Sequence, residues 1–418
     1  MLDIKRIIAD PETIQRKLKA RDPSLDITEL LNIYTQKRDY DDSVETKRAE
    51  INRANKEMAK LKSNSEEFNY QRDLLRKVSD EIKALSTEQK NLEQKMNTIL
   101  LGLPNIIQDD VPISQNKEES IVLSTYGMKK ESNFPIKDHL ELVNRLGIID
   151  FARGSKLAET GFPLYVGKGA ILEFALLQFM IEHHTKSGLT FVLPPILNNT
   201  ATLTNAGNLP KFAEQIYSCK DDDLHLVPTA EVPLTGMFAG EVLHLDEKPL
   251  RFFAYTPNFR REAGGYGKRD RGLMRIHQFN KVETYSICQP KDSEKELDFL
   301  LKNATALLEK LDLHYRLTKL PSCDLAQQSA KTCDIEIWLP FQDRYSEVSS
   351  GSNCTDYQAR RANIKYQVGN QKSYVNTLNC SGLATPRVMV ALLESYQTKD
   401  GRVRIPSELV RFTGFDMI

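Results

Sequence analysis

The sequence carries no net charge. Its 57 lysines and arginines are matched by 57 aspartates and glutamates over 418 residues. No global field draws the chain to a polyanion, so any nucleic-acid surface has to be a local patch. Paired cysteines are also missing. The six, at 219, 288, 323, 333, 354 and 380, form no Cys-x-x-Cys and no regular spacing. That argues against a zinc knuckle or a disulfide framework and fits free thiols in a reducing compartment. The seven histidines include one adjacent pair, His183-His184, which reads as a helix end rather than a metal pair. No apolar run approaches the roughly 20 residues of a membrane helix. Asp3, Asp10 and Glu12 come too early for a signal or transit peptide. A soluble cytoplasmic protein with no membrane contact is expected. Neither Gly-x-Gly-x-x-Gly nor Gly-x-x-x-x-Gly-Lys-Ser/Thr occurs, which speaks against Rossmann and P-loop domains. The length supports two or three domains with a large core.

One absence is local. From Ile27 to Leu103 there is no proline, and no glycine before Gly102. Before this stretch, Asp10-Pro11-Glu12 places a cap and a proline at the start of a short lead-in helix. Within it, Phe68, Leu75, Val78, Ile82, Leu85, Leu92, Met96 and Ile99 follow a heptad seam, with Gln71 and Gln89 in the gaps. Leu30, Val44, Ile51 and Met58 repeat at seven or fourteen in the first half, where alternate seam positions are polar. The pattern predicts two long helices folded into an antiparallel coiled coil, with Asn64-Ser65 as the turn. About 35 residues per helix gives an arm of roughly 50 Å. Around the turn, Arg53, Lys56, Lys60, Lys62, Arg72, Arg76 and Lys77 face only Glu57, Glu66, Glu67 and Asp73, a surplus of three positive charges. A coiled coil by itself is a dimerisation rod as readily as a nucleic-acid reader. Leu103-Pro104-Asn105 and the polar run from Gln115 to Ser120 mark a linker, dividing the chain into 1–104, with the arm at about 27–103, and 105–418.

The remainder is organised around Phe259 to Glu283. Phe252–Tyr255 and Phe279–Tyr285 are rich in aromatic and β-branched residues and read as two strands joined by a long loop with four glycines. Alternation along a strand puts Arg260 with Glu262 on one face, and likewise Arg275, Phe279 and Glu283. Two arginines, two carboxylates and an aromatic ring on one sheet face are costly to bury without a ligand, although an ion-paired sheet face would carry the same residues. Phe259-Arg-Arg-Glu-Ala-Gly, Arg271-Gly-Leu, His277-Gln-Phe and Lys281-Val-Glu283 together resemble the second signature of class II aminoacyl-tRNA synthetases, and among these the seryl-tRNA synthetases. The likeness extends over nearly the whole chain. Gly188 to Leu197, which follows the strongly apolar helix predicted over 168–188, resembles the first signature, which implies a homodimer. Thr377-Leu-Asn-Cys380-Ser381-Gly-Leu-Ala-Thr-Pro386-Arg387 resembles the third. There, Pro386 opens an apolar helix and Arg387 sits where charge and helix dipole both attract phosphate.

The resemblance implies an α+β fold: a long antiparallel coiled-coil hairpin, then a catalytic domain with an antiparallel sheet flanked by helices. It implies a ligase that uses ATP and Mg²⁺ to activate L-serine and passes the seryl group to serine tRNA, with charging of selenocysteine tRNA left open. The arm would grip the long variable arm of the tRNA through Arg53, Lys56, Lys60, Arg72, Arg76 and Lys77, phosphate contacts that salt weakens. Shape rather than sequence would be read in the folded RNA. Serine would be held by Thr229, Ala230, Glu231, Arg260, Glu283 and Ser381, the ammonium group needing an acceptor and negative charge. ATP would be held by Arg260, Arg261, Glu262, Arg275, Phe279, Glu347, Val348, Ser349, Ser350 and Arg387. Magnesium takes one or two carboxylates plus phosphate oxygens, which suits Glu347 with Ser350. Arg260 and Arg387 would be the catalytic pair, since no Ser-His-Asp or Cys-His constellation is evident and catalysis falls to positioning and charge stabilisation. The sequence departs from the family at Asp343 and Gly351, beside these positions, and at Cys380 and Pro386, where glycine is common. Cys380 bears on the shape of the serine pocket. The alternatives are a threonine or proline ligase of the same class, against which the long hairpin and Thr229-Ala-Glu231 speak, and a coiled-coil adaptor with a dead synthetase domain.

Overall fold

The computed structural model describes residues 1–63, 65–245, 248–263 and 271–418. The chain forms two compact units, one of Leu2–Lys19 and Pro23–Leu103, the other of Met1, Ala20–Asp22 and Pro104–Ile418.

In the smaller unit, α1 (Ile4–Ala9) and α2 (Pro11–Arg21) precede the arm, and Asp10 accepts a hydrogen bond from the Thr13 amide as the sequence predicts. The arm is α3 (Thr28–Met58) paired with α4 (Glu66–Gly102). Its seam follows the heptads: the eight apolar positions from Phe68 to Ile99, with Gln71 and Gln89, are the sheltered side of α4. Polar seam positions of α3 are satisfied across the interface, Lys47 by Glu81 at 2.5 Å and Asp41 by Gln89. Asn64 of the predicted turn lies outside the described residues, while Ser65 caps α4 by accepting from the Phe68 amide at 3.1 Å.

The larger unit is built on an eight-stranded sheet. Its strands are β1 (Ile121–Tyr126), β2 (Thr190–Val192), β3 (Leu250–Phe259), β4 (Gln278–Cys288), β5 (Tyr315–Lys319), β6 (Lys331–Leu339), β7 (Arg344–Asn353) and β8 (Asn376–Ala384). The spatial order is β1-β5-β6-β7-β8-β4-β3-β2, antiparallel throughout except for the terminal β3–β2 pair. Helices Lys168–Lys186 (α5), Ser293–Lys310 (α6) and Thr385–Tyr396 (α7) pack on one face. Alternation sorts the side chains: Val282, Ile335, Ile337, Leu378 and Cys380 enter the core against these helices, while Lys281, Glu283, Asn379 and Ser381 occupy the opposite face. Residues 20–22 belong to this unit because the Arg21 guanidinium is buried there. It donates to the carbonyls of Asn105, Leu325, Ala326 and Ser329 at 2.7–2.9 Å, and burial lowers its pKa to about 10.

Several sequence expectations need adjustment. Residues 138–150 read from the sequence as one helix, but it ends at Leu146, because Gly147 adopts a left-handed conformation (φ 64°) and Ile149–Asp150 form a short strand. The extended segment after Gly188 is regular only over Thr190–Val192. The sequence also reads as a strand turning through Ser381-Gly382 into the following helix, whereas β8 continues to Ala384, with a register irregularity after Ser381.

Candidate active site

Two adjoining cavities open on the sheet face that carries Lys281, Glu283 and Ser381. One, of about 290 Å³, is lined by Arg275, Phe279, Val348, Pro386 and Arg387 among others. The second, of about 440 Å³, is lined by Thr229, Glu231, Glu283, Gln328, Ser350 and Asn379 among others. Arg260, Glu262, Lys281, Glu347 and Ser381 line both, so they form the shared wall.

The β3–β4 hairpin supplies most of this wall, although not by strand alternation alone. Strand β3 ends at Phe259 and β4 begins at Gln278, so Arg260, Glu262 and Arg275 lie beyond the regular strands. The hairpin ladder nevertheless carries one step further, the Arg260 amide donating to His277 O at 2.9 Å. His277 Nδ1 lies 3.0 Å from Arg260 O. These contacts fix the backbone of Arg260, whose Nε donates to Pro228 O at 3.2 Å and whose guanidinium sits 5.3 Å from the Phe279 ring centroid. Glu262 is held in the left-handed region at φ 49° and pairs with Arg275, Nε to Oε2 at 2.7 Å. Most of the glycine-rich loop between them, residues 264–270, lies outside the described residues. Arg261 is exposed toward Tyr217 and is not among the residues lining either cavity.

The second cavity is strongly polar at its base. Glu231, at the first position of a short helix (Glu231–Gly236), is buried and surrounded by amides. Its Oε1 accepts from Gln358 Nε2 at 2.6 Å, Asn379 Nδ2 at 2.9 Å and Gln328 Nε2 at 3.1 Å. Gln358 is oriented in turn by Tyr285 and Thr377, whose hydroxyls donate to its Oε1 at 3.2 and 2.6 Å, turning its amide nitrogen to the carboxylate. Burial, and then the charge of Glu283, push the Glu231 pKa up to about 7. Glu283 is 2 % exposed; its Oε2 accepts from Thr229 Oγ1 at 2.9 Å and pairs with Lys281. Lys281 Nζ also reaches Thr229 Oγ1 at 2.9 Å. Ala230, between the two acidic-site residues, is fully buried in the packing beneath. Thr229 and Glu231 thus meet as the sequence anticipates, but at a helix start rather than in a free turn.

At the far wall, Arg387 near the start of α7 donates to Glu347 O at 2.6 Å and lies 3.3 Å from Glu347 Oε2. Asp334 and Ser350 face each other across β6 and β7. The Asp334 Oδ1 atom is buried without a hydrogen-bond partner, and burial together with the Glu347 charge holds its pKa well above the carboxylate range. An orphaned acidic oxygen beside a half-exposed carboxylate and a hydroxyl is a donor set that fits a hard divalent cation completed by phosphate oxygens. No cluster of three or more His, Cys, Asp or Glu suited to a metal occurs among the described residues. Ser349 lies behind the sheet rather than in a cavity, its hydroxyl donating to Ser381 O at 2.6 Å.

Comparison with known proteins accounts for both units. Residues 1–107 match the seryl-tRNA synthetase N-terminal domain, and residues 216–396 match the class II tRNA synthetase core domain of the G, H, P, S and T group. The serine–tRNA ligase of Chlorobium phaeobacteroides (strain BS1) is 43% identical over 428 residues, covering all of both chains. The chain belongs to the seryl-tRNA synthetase family. The serine–tRNA ligase of Thermodesulfovibrio yellowstonii is likewise 43% identical over the full length of both. The crystal structure of Pyrococcus horikoshii seryl-tRNA synthetase complexed with ATP superposes with a TM-score of 0.95 at 34% identity, covering 100% of this chain and 99% of that one.

Sequence reasoning missed four residues that the structure brings to these cavities. Lys281 was readable, standing two positions from Glu283 on the same strand face. Asn379 was readable in the same way beside Ser381. Gln328 and Gln358 carry no local signal, since folding alone brings them 97 and 127 residues along the chain to Glu231. Arg53, Lys56, Lys60, Arg72, Arg76 and Lys77 are all solvent-exposed on the arm.

Proposed function

We propose that the chain is a serine–tRNA ligase whose larger cavity takes L-serine and whose smaller one takes ATP. The observation that carries this reading is the pairing of two buried carboxylates, Glu231 and Glu283, next to a cleft walled by arginines, with Arg260 belonging to both. A small amino acid presents an ammonium and a hydroxyl to the carboxylates and its own carboxylate to Arg260. Thr229 and Ser381 complete the polar lining, and Asn379 and Gln328 hold Glu231 in place.

In the first step a serine carboxylate oxygen attacks the α-phosphorus of ATP, the bond to the β-phosphate oxygen breaks, and pyrophosphate leaves. Arg260 bridges the two reactants and stabilises the charge that grows at the α-phosphate. Glu262 accepts from the adenine amino group, and Phe279 stacks on the ring. Binding ATP therefore requires the Glu262–Arg275 pair to exchange partners, releasing Arg275 with Arg387 to the outer phosphates. Glu347, Ser350 and Asp334 would hold Mg²⁺, which neutralises phosphate charge when bound. In the second step the 3′-terminal ribose hydroxyl of the tRNA attacks the seryl carbonyl and AMP leaves. The basic end of the arm holds the tRNA by its long variable arm.

A homodimer suits the apolar surface at the sheet edge. Edge strand β2 leaves Phe191 and the adjoining Leu193 exposed, and α5 leaves Ile171 and Phe174 exposed. Such an edge is ordinarily covered, and a second copy of the chain is the occupant that the likeness to the first class II signature favours. Six free thiols and the absence, among the described residues, of a helix able to cross a membrane fit a cytoplasmic enzyme.

The test is transfer of labelled serine to tRNA. Serine tRNA should be charged in an ATP-dependent manner, while threonine and proline tRNAs should not. A selenocysteine tRNA transcript in the same assay reads whether the long-arm shape suffices. Charging of threonine or proline tRNA instead would overturn the reading.

A further inference from the structure

The floor of the serine cavity has an unusual back. Asn379 and Ser381 project into the cavity from β8, so the residue between them, Cys380, points the other way, into the core against α6. Directly opposite on β7 stands Gly351. A side chain there would begin 3.2 Å from Cys380 Sγ and 2.6 Å from Leu301 Cδ2. The first distance is tight and the second is a clash, so the space behind the floor is filled by the Cys380 sulfur together with Leu301, and a side chain at 351 would crowd the one and displace the other.

The thiol also enters a hydrogen-bonded chain. Ser349 Oγ donates to Ser381 O at 2.6 Å. A hydroxyl has one proton to give, so with that proton on Ser381 O the Cys380 thiol can donate to Ser349 Oγ at 3.4 Å, its other acceptor being Ser381 O at 3.8 Å. Cys380 thus supports Ser349, which holds the carbonyl of a cavity-lining residue. On the same strand, Cys380 O accepts from Thr284 Oγ1 at 2.7 Å, tying the floor to the strand that carries Glu283. Burial raises the thiol pKa to about 12, so it remains a donor across the working range.

We propose that Cys380 and Gly351 are a matched pair of positioning residues that set the floor of the amino-acid cavity from behind, acting on substrate through Ser381 and Asn379. The proposal rests on the assignment of this cavity to serine. Neither residue lines the nucleotide cleft, and Asn379 lines the amino-acid cavity only, so the effect falls mainly on the amino acid, with a smaller one on ATP through Ser381, which lines both.

Serine-dependent ATP–pyrophosphate exchange in single variants tests it. Cys380→Gly and Cys380→Ala should each raise the serine KM roughly fivefold, the scale of one modest hydrogen bond, with a smaller change in the ATP KM. Cys380→Ser keeps the donor and should return the serine KM to about the wild-type value. Gly351→Ala, which crowds the sulfur and Leu301 from the opposite strand, should likewise raise the serine KM more than the ATP KM. The proposal is overturned if Cys380→Ala leaves the serine KM unchanged, if the ATP KM rises as much as the serine KM, or if Cys380→Ser does not restore the serine KM. Failure of the wild-type chain to exchange with serine would instead remove the assignment of the cavity, a separate outcome.

Discussion

Replacing Glu283 by alanine separates the two cavities. Glu283 lines the proposed serine cavity and is not among the residues lining the nucleotide cleft. It is buried, with both Thr229 and Lys281 committed to the same oxygen. Removing it deletes the acceptor proposed for the serine amino or hydroxyl group and leaves the Lys281 ammonium without its carboxylate. Losing one partner of a buried, charged hydrogen bond costs about 2–5 kcal/mol. At 1.4 kcal/mol per factor of ten, this corresponds to a fall in kcat/KM for serine of about 30-fold to a few thousand-fold. The ATP KM should move less than about threefold, because no adenine or phosphate contact is touched. Exchange kinetics with each substrate varied at saturating concentrations of the other give both numbers. Glu283→Gln, which keeps the shape and an acceptor oxygen, should fall between wild type and alanine. Small and equal effects on both substrates would refute the placement of serine against Glu283.

The pH dependence follows from Glu231. Its pKa is raised to about 7 by burial and by Glu283, so in the free enzyme it gains a proton as pH falls through 7, and a protonated carboxyl cannot pair with an ammonium. Serine affinity should therefore be full above pH 8 and decline below pH 7, toward about tenfold per unit; calorimetry across pH 5.5–8.5 measures it, and a flat profile would contradict it. Arg260→Ala should slow adenylate formation by roughly 10²–10³ while leaving the circular dichroism spectrum unchanged, because the guanidinium acts mainly on transition-state charge. Replacing Arg53, Lys56, Lys60, Arg72, Arg76 and Lys77 by glutamine should weaken tRNA binding and flatten its salt dependence by up to about 5 in the log–log slope. Pyrophosphate exchange should be unaffected by those six changes, and unchanged tRNA affinity would leave the arm a structural rod.

Periodic features were the most legible in the sequence. The arm seam from Phe68 to Ile99 could be drawn because a heptad repeat states which side of a helix is covered, and the β3–β4 hairpin because its aromatic and β-branched runs mark two strands. Where periodicity ends, reading by pattern failed. Arg260, Glu262 and Arg275 come together through a left-handed residue and an irregular return that strand alternation does not describe. Helix ends depended on single residues, as Gly147 stops its helix at Leu146. The amide cage around Glu231 was invisible because Gln328 and Gln358 arrive from distant segments, each oriented by contacts that exist only after folding. Cys380 looked like a change to the serine pocket itself; the register of β8 turns its thiol to the core, behind the pocket floor.

The central claim is that the carboxylate-lined cavity beside the arginine-walled cleft activates serine. ATP–pyrophosphate exchange by the purified chain, run separately with each of the twenty amino acids, tests it most directly. The account predicts strong exchange with serine and little with threonine, proline or the others. Exchange driven by threonine or proline, or by no amino acid at all, would contradict it.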